Sequence, residues 1–185
     1  MDLERDDRDL EQEVDDLKER LEKMENLLKG EKRTFEREHI PVKMARVSPS
    51  ANLPKRTSDG AAGYDVYANL QEPVSIPPGT NAKIGIGVAL EIPEGYWVAV
   101  CARSGLALKE GLRPANCVGV GDEDFRDEYS IAIYNDSDCT RVVEPNERIA
   151  QILFLKYSVA DFELATMDEL SKTKRGTRGW GGSGK

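Results

Sequence analysis

Residues 148–154 read RIAQILF, and two stretches of similar character precede them, WVAV at 97–100 and YSIAIYN at 129–135. All are short runs rich in β-branched, aliphatic and aromatic side chains, the signature of strands. PPGT (77–80), PEGY (93–96) and EPNE (144–147) punctuate the same region as turns. Many short strands without long amphipathic helices point to a sandwich or barrel. The one helix expected among them is SGLALKE, Ser104–Glu110. No internal repeat is evident, so the segment from about residue 41 onward is expected to be all-β.

Upstream of this region the period changes. Leu3, Leu10, Val14, Leu17, Leu21, Met24 and Leu28 are apolar, and from Leu10 their spacing is 4, 3, 4, 3, 4. With Val14 at an a position, Leu21 and Leu28 also fall at a, and Leu3, Leu10, Leu17 and Met24 fall at d. Glu13 (g) would face Lys18 (e) of a parallel neighbour, and Arg20 (g) would face Glu25 (e), both opposite in sign. Asp7 at an a position is a local weakness. A self-associating coiled coil over residues 1–30 is the expectation, against a single amphipathic helix packed on its own domain. Gly30 is read as the helix stop and residues 31–40 as a charged linker.

The charge is divided in the same way. Residues 1–38 hold 15 Asp/Glu and 9 Lys/Arg, which leaves −2 of the total −8 for residues 39–185. A nearly neutral body argues against direct nucleic-acid binding, which needs a basic surface. No apolar run approaches the roughly 20 residues of a membrane span, and the acidic N-terminus is no signal peptide. A cytoplasmic protein is expected, with the nucleus of a host cell left open. Cys101, Cys117 and Cys139 are odd in number and lack a C-x-x-C pair, as reduced thiols would be. His39 is the single histidine, which excludes His-based zinc sites and Ser-His or Cys-His catalysis. A catalytic base must then be a carboxylate, Lys, Tyr or Cys.

The C-terminus reads RGTRGWGGSGK, and Gly179–Lys185 spell G-x-x-x-x-G-K. A phosphate loop needs a following Ser or Thr and a helix whose N–H groups surround the phosphates, and neither follows Lys185. The remaining alternatives are a Gly-rich tail without order and a lid that closes over a phosphate-bearing ligand.

Five segments decide between them: AAGYDVYA (61–68), ARSGLALK (102–109), NCVGVGDEDF (116–125), ERIAQILF (147–154) and RGTRGWGGSG (175–184). In this order they resemble the five motifs of the trimeric dUTPase family, over nearly the whole body from residue 41. The resemblance implies a jelly-roll-like β-barrel at 41–174, a flexible lid at 175–185, and a homotrimer whose active sites are shared between subunits. It also implies Mg²⁺-dependent hydrolysis of dUTP to dUMP and pyrophosphate. Such an activity limits uracil incorporation into DNA and supplies dUMP for thymidylate synthesis.

Carried over residue by residue, Asp122 matches the general base that activates water for attack on the α-phosphorus. Phe125 stands where the family usually has Tyr, against the deoxyribose, and keeps the ring that leaves no room for a 2′-OH. Asn116 and the hairpin to Asp122 match the uracil-reading segment. Arg103, Ser104 and Gly105 match the phosphate-binding second motif, although Ser104 would serve equally as a helix N-cap. Gln151 matches a phosphate-contacting glutamine given to a neighbouring site. Asp65 matches the carboxylate that holds Mg²⁺ through waters, a mode that suits this ion. Arg175 would reach the γ-phosphate and Trp180 would stack on uracil, which makes the tail a lid.

Ala102 replaces a usual Pro, Asp127 a Gly, and Arg178 a tail Gly, while Gly182 and Ser183 stand where Ser and Thr are usual. None removes a proposed catalytic group. The related deoxycytidine triphosphate deaminases would need an acid/base group at the base ring, and the hairpin offers no matching Glu. A regulatory protein using this body and the coiled coil to engage partners is the rival from another class, and substrate-dependent partner binding would mark it.

Overall fold

The computed structural model describes residues 3–28 and 37–179, with the side chains of the first helix described at 12–24. The chain divides into two units, Met1–Ile40 and Pro41–Lys185. In the first, helix α1 spans Leu3–Leu28. Val14, Leu17, Leu21 and Met24 line up on it at heptad spacing and are each about half exposed, from 46% to 59%. Lys18 pairs with Asp15 and Lys23 with Glu19 along the same helix, the i,i+3 and i,i+4 contacts that support an exposed helix by tenths of a kcal/mol. The side chains of Leu3, Asp7, Leu10, Glu25 and Leu28 lie outside the described residues, as do Gly30 and linker residues 31–36.

The body is mostly β. Its strands are β1 (Lys43–Arg46), β2 (Tyr64–Tyr67), β3 (Val74–Ile76), β4 (Asn81–Gly85), β5 (Val88–Glu91), β6 (Tyr96–Cys101), β7 (Leu112–Pro114), β8 (Val118–Gly121), β9 (Ser130–Asn135), β10 (Arg141–Val143) and β11 (Arg148–Lys156). WVAV and RIAQILF fall in β6 and β11, and YSIAIYN in β9 apart from its first residue; PPGT and EPNE lie between strands, and PEGY ends on the first residue of β6. Helix α2 occupies Ser104–Glu110 as expected. Gly111 ends it in the left-handed conformation (φ 67°) and donates its N–H to Leu106 O, the closure that glycine permits without strain. Arg103, not Ser104, is the N-cap; Ser104 is already the first helical residue.

All pairings are antiparallel. A four-stranded sheet runs β2-β11-β6-β8, a three-stranded sheet runs β4-β9-β7, and β1-β5 and β3-β10 form two ribbons. These strands bury Ile76, Ile84, Ile133, Ile149 and Ile152 almost completely, with Ile86 from the β4–β5 link beside them. Each such side chain contributes about 1.5–3 kcal/mol relative to exposure. The one wholly buried polar side chain described, Asn135, is fully used. Its Nδ2 donates to Ile76 O and Cys139 O, and its Oδ1 accepts from Ser137 N and Oγ. It thereby ties β9 to β3 and to the following turn. Among the described residues no helix is long and apolar enough to cross a membrane.

Candidate active site

Register in the four-stranded sheet builds the first half of the site. Gln151 on β11 lies opposite Asp65 on β2 and opposite Cys101 on β6, and Cys101 lies opposite Val118 on β8. Directly paired residues share a face, so this row gathers Asp65 and Gln151 beside the end of β6, where the chain leaves for Ala102 and Arg103. Gln151 Nε2 donates to Ala102 O at 2.9 Å. Arg103 Nε donates to Asp65 Oδ1 at 3.1 Å, and Arg103 Nη1 donates to Arg148 O at 2.9 Å. Arg148 Nη1 completes the cluster by donating to Asp65 Oδ2 at 3.0 Å. Asp65 is nearly buried, with its side chain 11% exposed, while Arg103 and Arg148 keep one edge in solvent.

A bulge makes this cluster possible. Between Arg148 and Ala150 the β11–β2 register shifts, so that Arg148 pairs with Tyr67 and Ala150 with Val66. In an unbroken strand residues three apart face opposite sides. The extra residue, Ile149, returns Arg148 to the face of Gln151 and Asp65, and Ile149 and Ala150 are accordingly buried in succession.

The second half lies on β8, an edge strand of its sheet. Asn116 is exposed at its entry, and Cys117 takes a positive φ of 61° to turn the chain. Beyond Gly121 a turn closes with Phe125 N donating to Asp122 O at 3.2 Å. Asp122 is exposed, and the ring of Phe125, 40% exposed, packs edge-on against Tyr129 at 5.2 Å. Asp127 accepts from Glu128 N through its own carboxylate and is not among the residues with positive φ. The glycine it replaces in the family pattern is therefore not needed here for backbone freedom.

The tail bonds to itself. Arg175 Nε donates to Arg178 O, and Arg178 donates through Nε to Arg175 O and through Nη2 to Lys174 O. Residues 157–179 are exposed, and Arg175 makes its described bonds within the tail, away from Arg103. Trp180, Gly182 and Ser183 lie outside the described residues. Ser104 and Gly105 are exposed at the head of α2, where the first N–H groups of a helix lack intrahelical acceptors.

A family model described as dUTPase matches residues 49–184. The chain belongs to the dUTPase family. The deoxyuridine 5′-triphosphate nucleotidohydrolase of Chlamydia pneumoniae is 42% identical over 132 residues, covering 71% of this chain and 90% of the relative. That of Chlamydia trachomatis serovar L2 is 40% identical over 139 residues, covering 75% and 95%. The dUTPase of Staphylococcus bacteriophage 80alpha, solved with dUPNHPP, superposes with a TM-score of 0.67 at 26% identity, over 78% of this chain and 98% of the phage protein. The dUTPase match begins at residue 49, so helix α1 lies outside it.

Within this dUTPase body the sequence reading brought forward Asp65, Arg103 and Gln151, and the fold brings all three together. It did not single out Arg148, which the bulge hides, or Tyr129. The residues also bear on the metal of dUTPases. No group of three or more His, Cys, Asp or Glu side chains converges among the described residues. Asp65 stands between two guanidinium groups, and that cluster carries a net +1, which suits phosphate oxygens. This fits a magnesium ion that arrives on a triphosphate and keeps its waters, and does not fit an ion caged by protein carboxylates.

Proposed function

We propose that this chain hydrolyses dUTP to dUMP and pyrophosphate, with water activated by Asp122 attacking the α-phosphorus. The substrate class follows from the family and from relatives described as deoxyuridine 5′-triphosphate nucleotidohydrolases. The observation that carries the site is the pinned guanidinium of Arg103, fixed on one side by Asp65 and on the other by the Arg148 carbonyl. A guanidinium fixed in this way presents its remaining donors to phosphate oxygens without losing rotamer entropy on binding. Ser104 and Gly105 add a hydroxyl and N–H groups beside it, and Gln151 adds an amide at the same row. Magnesium, arriving with the triphosphate, would neutralise phosphate charge, and Asp65 is the carboxylate that would hold it through waters.

The base is read by main chain. As an edge strand, β8 offers outward N–H and C=O groups, and Asn116 stands at its entry. An acceptor for uracil N3–H and a donor to O4 meet the reversed pattern in cytosine, leaving buried groups unpaired. Phe125 packs on the deoxyribose and excludes a 2′-OH.

Sharing of sites between copies in a homotrimer is supported by the β6–β8 register. Cys101 lies opposite Val118 and Val98 opposite Gly121. The chain leaves β6 toward Arg103 at the Val118 end of β8, whereas Asp122 follows Gly121 at the other end. Those ends are three strand rises apart, roughly 10 Å, and Arg103 and Asp122 lie beyond them on either side. The guanidinium at the phosphates and the carboxylate at the attacking water are both needed at one triphosphate. Arg103 of one copy then serves Asp122 of another, and the Arg175 tail with Trp180 closes as a lid that excludes water. The apolar stripe of α1 adds a coiled-coil contact between the same copies, with Glu13 facing Lys18.

Pyrophosphate release from dUTP, with dCTP, dTTP and UTP beside it, tests this reading on the full chain, on Asp122→Asn and on a chain ending at Lys174. Turnover of dUTP alone is expected from the full chain, with losses of at least about a hundredfold in both variants, the scale of general-base catalysis. A full chain without turnover on dUTP would overturn it.

A further inference from the structure

Tyr129 is a buried group that the reaction above leaves without a task. It lies one residue before β9 and is only 6% exposed, and its hydroxyl has no hydrogen-bond partner among the described residues. It is the single buried side-chain polar atom described that lacks one. Leaving a buried hydroxyl unpaired is costly, so native chains rarely do it without a reason.

Its surroundings are those of the hairpin site. The ring lies edge-on to Phe125, with centroids 5.2 Å apart and planes at 83°. The hydroxyl end lies beneath Gly121, where an added Cβ would come within 2.6 Å of Cε1 and 2.7 Å of the hydroxyl oxygen. Only a glycine before Asp122 leaves room for this tyrosine. Burial and then the carboxylate of Asp122 push the Tyr129 hydroxyl above its ordinary pKa, with Arg126 acting in the opposite direction. The phenol therefore stays protonated and remains a donor at neutral pH. The charged groups that face it are Asp122 and Arg126, and of these only Asp122 can accept.

We propose that Tyr129 is a positioning residue of the hairpin: its ring sets the plane of Phe125, and its hydroxyl donates to the Asp122 carboxylate when the hairpin closes on substrate. The donor holds one carboxylate oxygen and leaves the other to accept a proton from water. The hydroxyl is unpaired in the free chain, and its bond acts on the base that takes the proton from water, not on the triphosphate, so its loss appears in turnover more than in ground-state affinity. This rests on Asp122 acting as the base.

The test compares Tyr129→Phe, which keeps the ring and loses the donor, with Tyr129→Leu, which loses both. For Tyr129→Phe we expect kcat to fall about tenfold, the worth of one hydrogen bond to a charged group. KM for dUTP should hold within about twofold. The acid limb of the kcat profile should move to higher pH, because a carboxylate that loses a donor is harder to ionise. The melting temperature should not fall, since the hydroxyl has no partner in the free chain. Tyr129→Leu should lose discrimination between dUTP and UTP, which Tyr129→Phe keeps. Unchanged kcat and an unchanged acid limb in Tyr129→Phe would overturn the inference even while the parent chain hydrolyses dUTP. Absence of turnover in the parent chain would instead strike the proposed function itself.

Discussion

Asp65→Asn is the substitution that probes the phosphate cluster most directly. The carboxylate accepts from Arg103 on one oxygen and from Arg148 on the other, at 3.1 and 3.0 Å. An asparagine of the same shape keeps one acceptor and turns an NH₂ group toward the second guanidinium. One charge-assisted bond, worth about 1.5–3 kcal/mol, is then lost and the other weakened. Arg103 and Arg148 retain side-chain exposures of 23% and 45%, so water compensates in part, and a net loss of about 2 kcal/mol is the expectation. For a body of this length that is a fall of about 4–8 °C in melting temperature. The kinetic consequence is separate. Whichever way the amide turns, the Asp65 anchor of Arg103 loses its charge, so the triphosphate is held less well and KM for dUTP should rise severalfold. Thermal unfolding at fixed protein concentration and steady-state pyrophosphate release would measure both. Combination with Arg148→Gln should cost less than the sum of the two single variants, because both act through one carboxylate. An Asp65→Asn chain that melts within 1 °C of the parent and keeps its KM would refute this account of the cluster.

Two further outcomes are expected. Leu21→Asp in the full chain places a charge on the exposed stripe of α1, and sedimentation should then show dissociation at protein concentrations about tenfold higher than for the parent; an identical concentration dependence would count against self-association through the helix. Glu91 is held below its usual range mainly by the hydrogen bond and charge of Lys43, so the pair contributes stability above the unfolded carboxyl pKa of about 4.5 and loses it as pH falls through the lower folded value. Lys43→Met should therefore melt below the parent at pH 7 and converge with it toward pH 3, and a gap that persists at pH 3 would show that Lys43 acts through packing instead.

Much of this protein is legible in one dimension. The turns PPGT, PEGY and EPNE mark where strands end because Pro and Gly restrict the backbone locally. SGLALKE ends at Gly111 because a left-handed residue is needed there and glycine supplies it. The heptad stripe of α1 is a local periodicity and needs no knowledge of the body. Asp65, Arg103 and Gln151 could be named because each lies in a contiguous motif. Arg148 lies in the same motif as Gln151, three residues before it, but its part in the cluster could not be read there. Strand alternation places those two on opposite faces, and only the bulge at Ile149, visible in pairing with β2, returns Arg148 to Asp65. Tyr129 was hidden for a related reason. Its hydroxyl matters through the space above Gly121 and the ring of Phe125, neighbours fixed by how the hairpin folds back on the start of β9. That the chain reaches Arg103 and Asp122 from opposite ends of β8 likewise appears only once β6 and β8 are in register. Local backbone preferences and motif chemistry thus determined the elements and most of the candidate groups. Register, bulge and close approach, which depend on strands far apart in sequence, decided which of those groups meet.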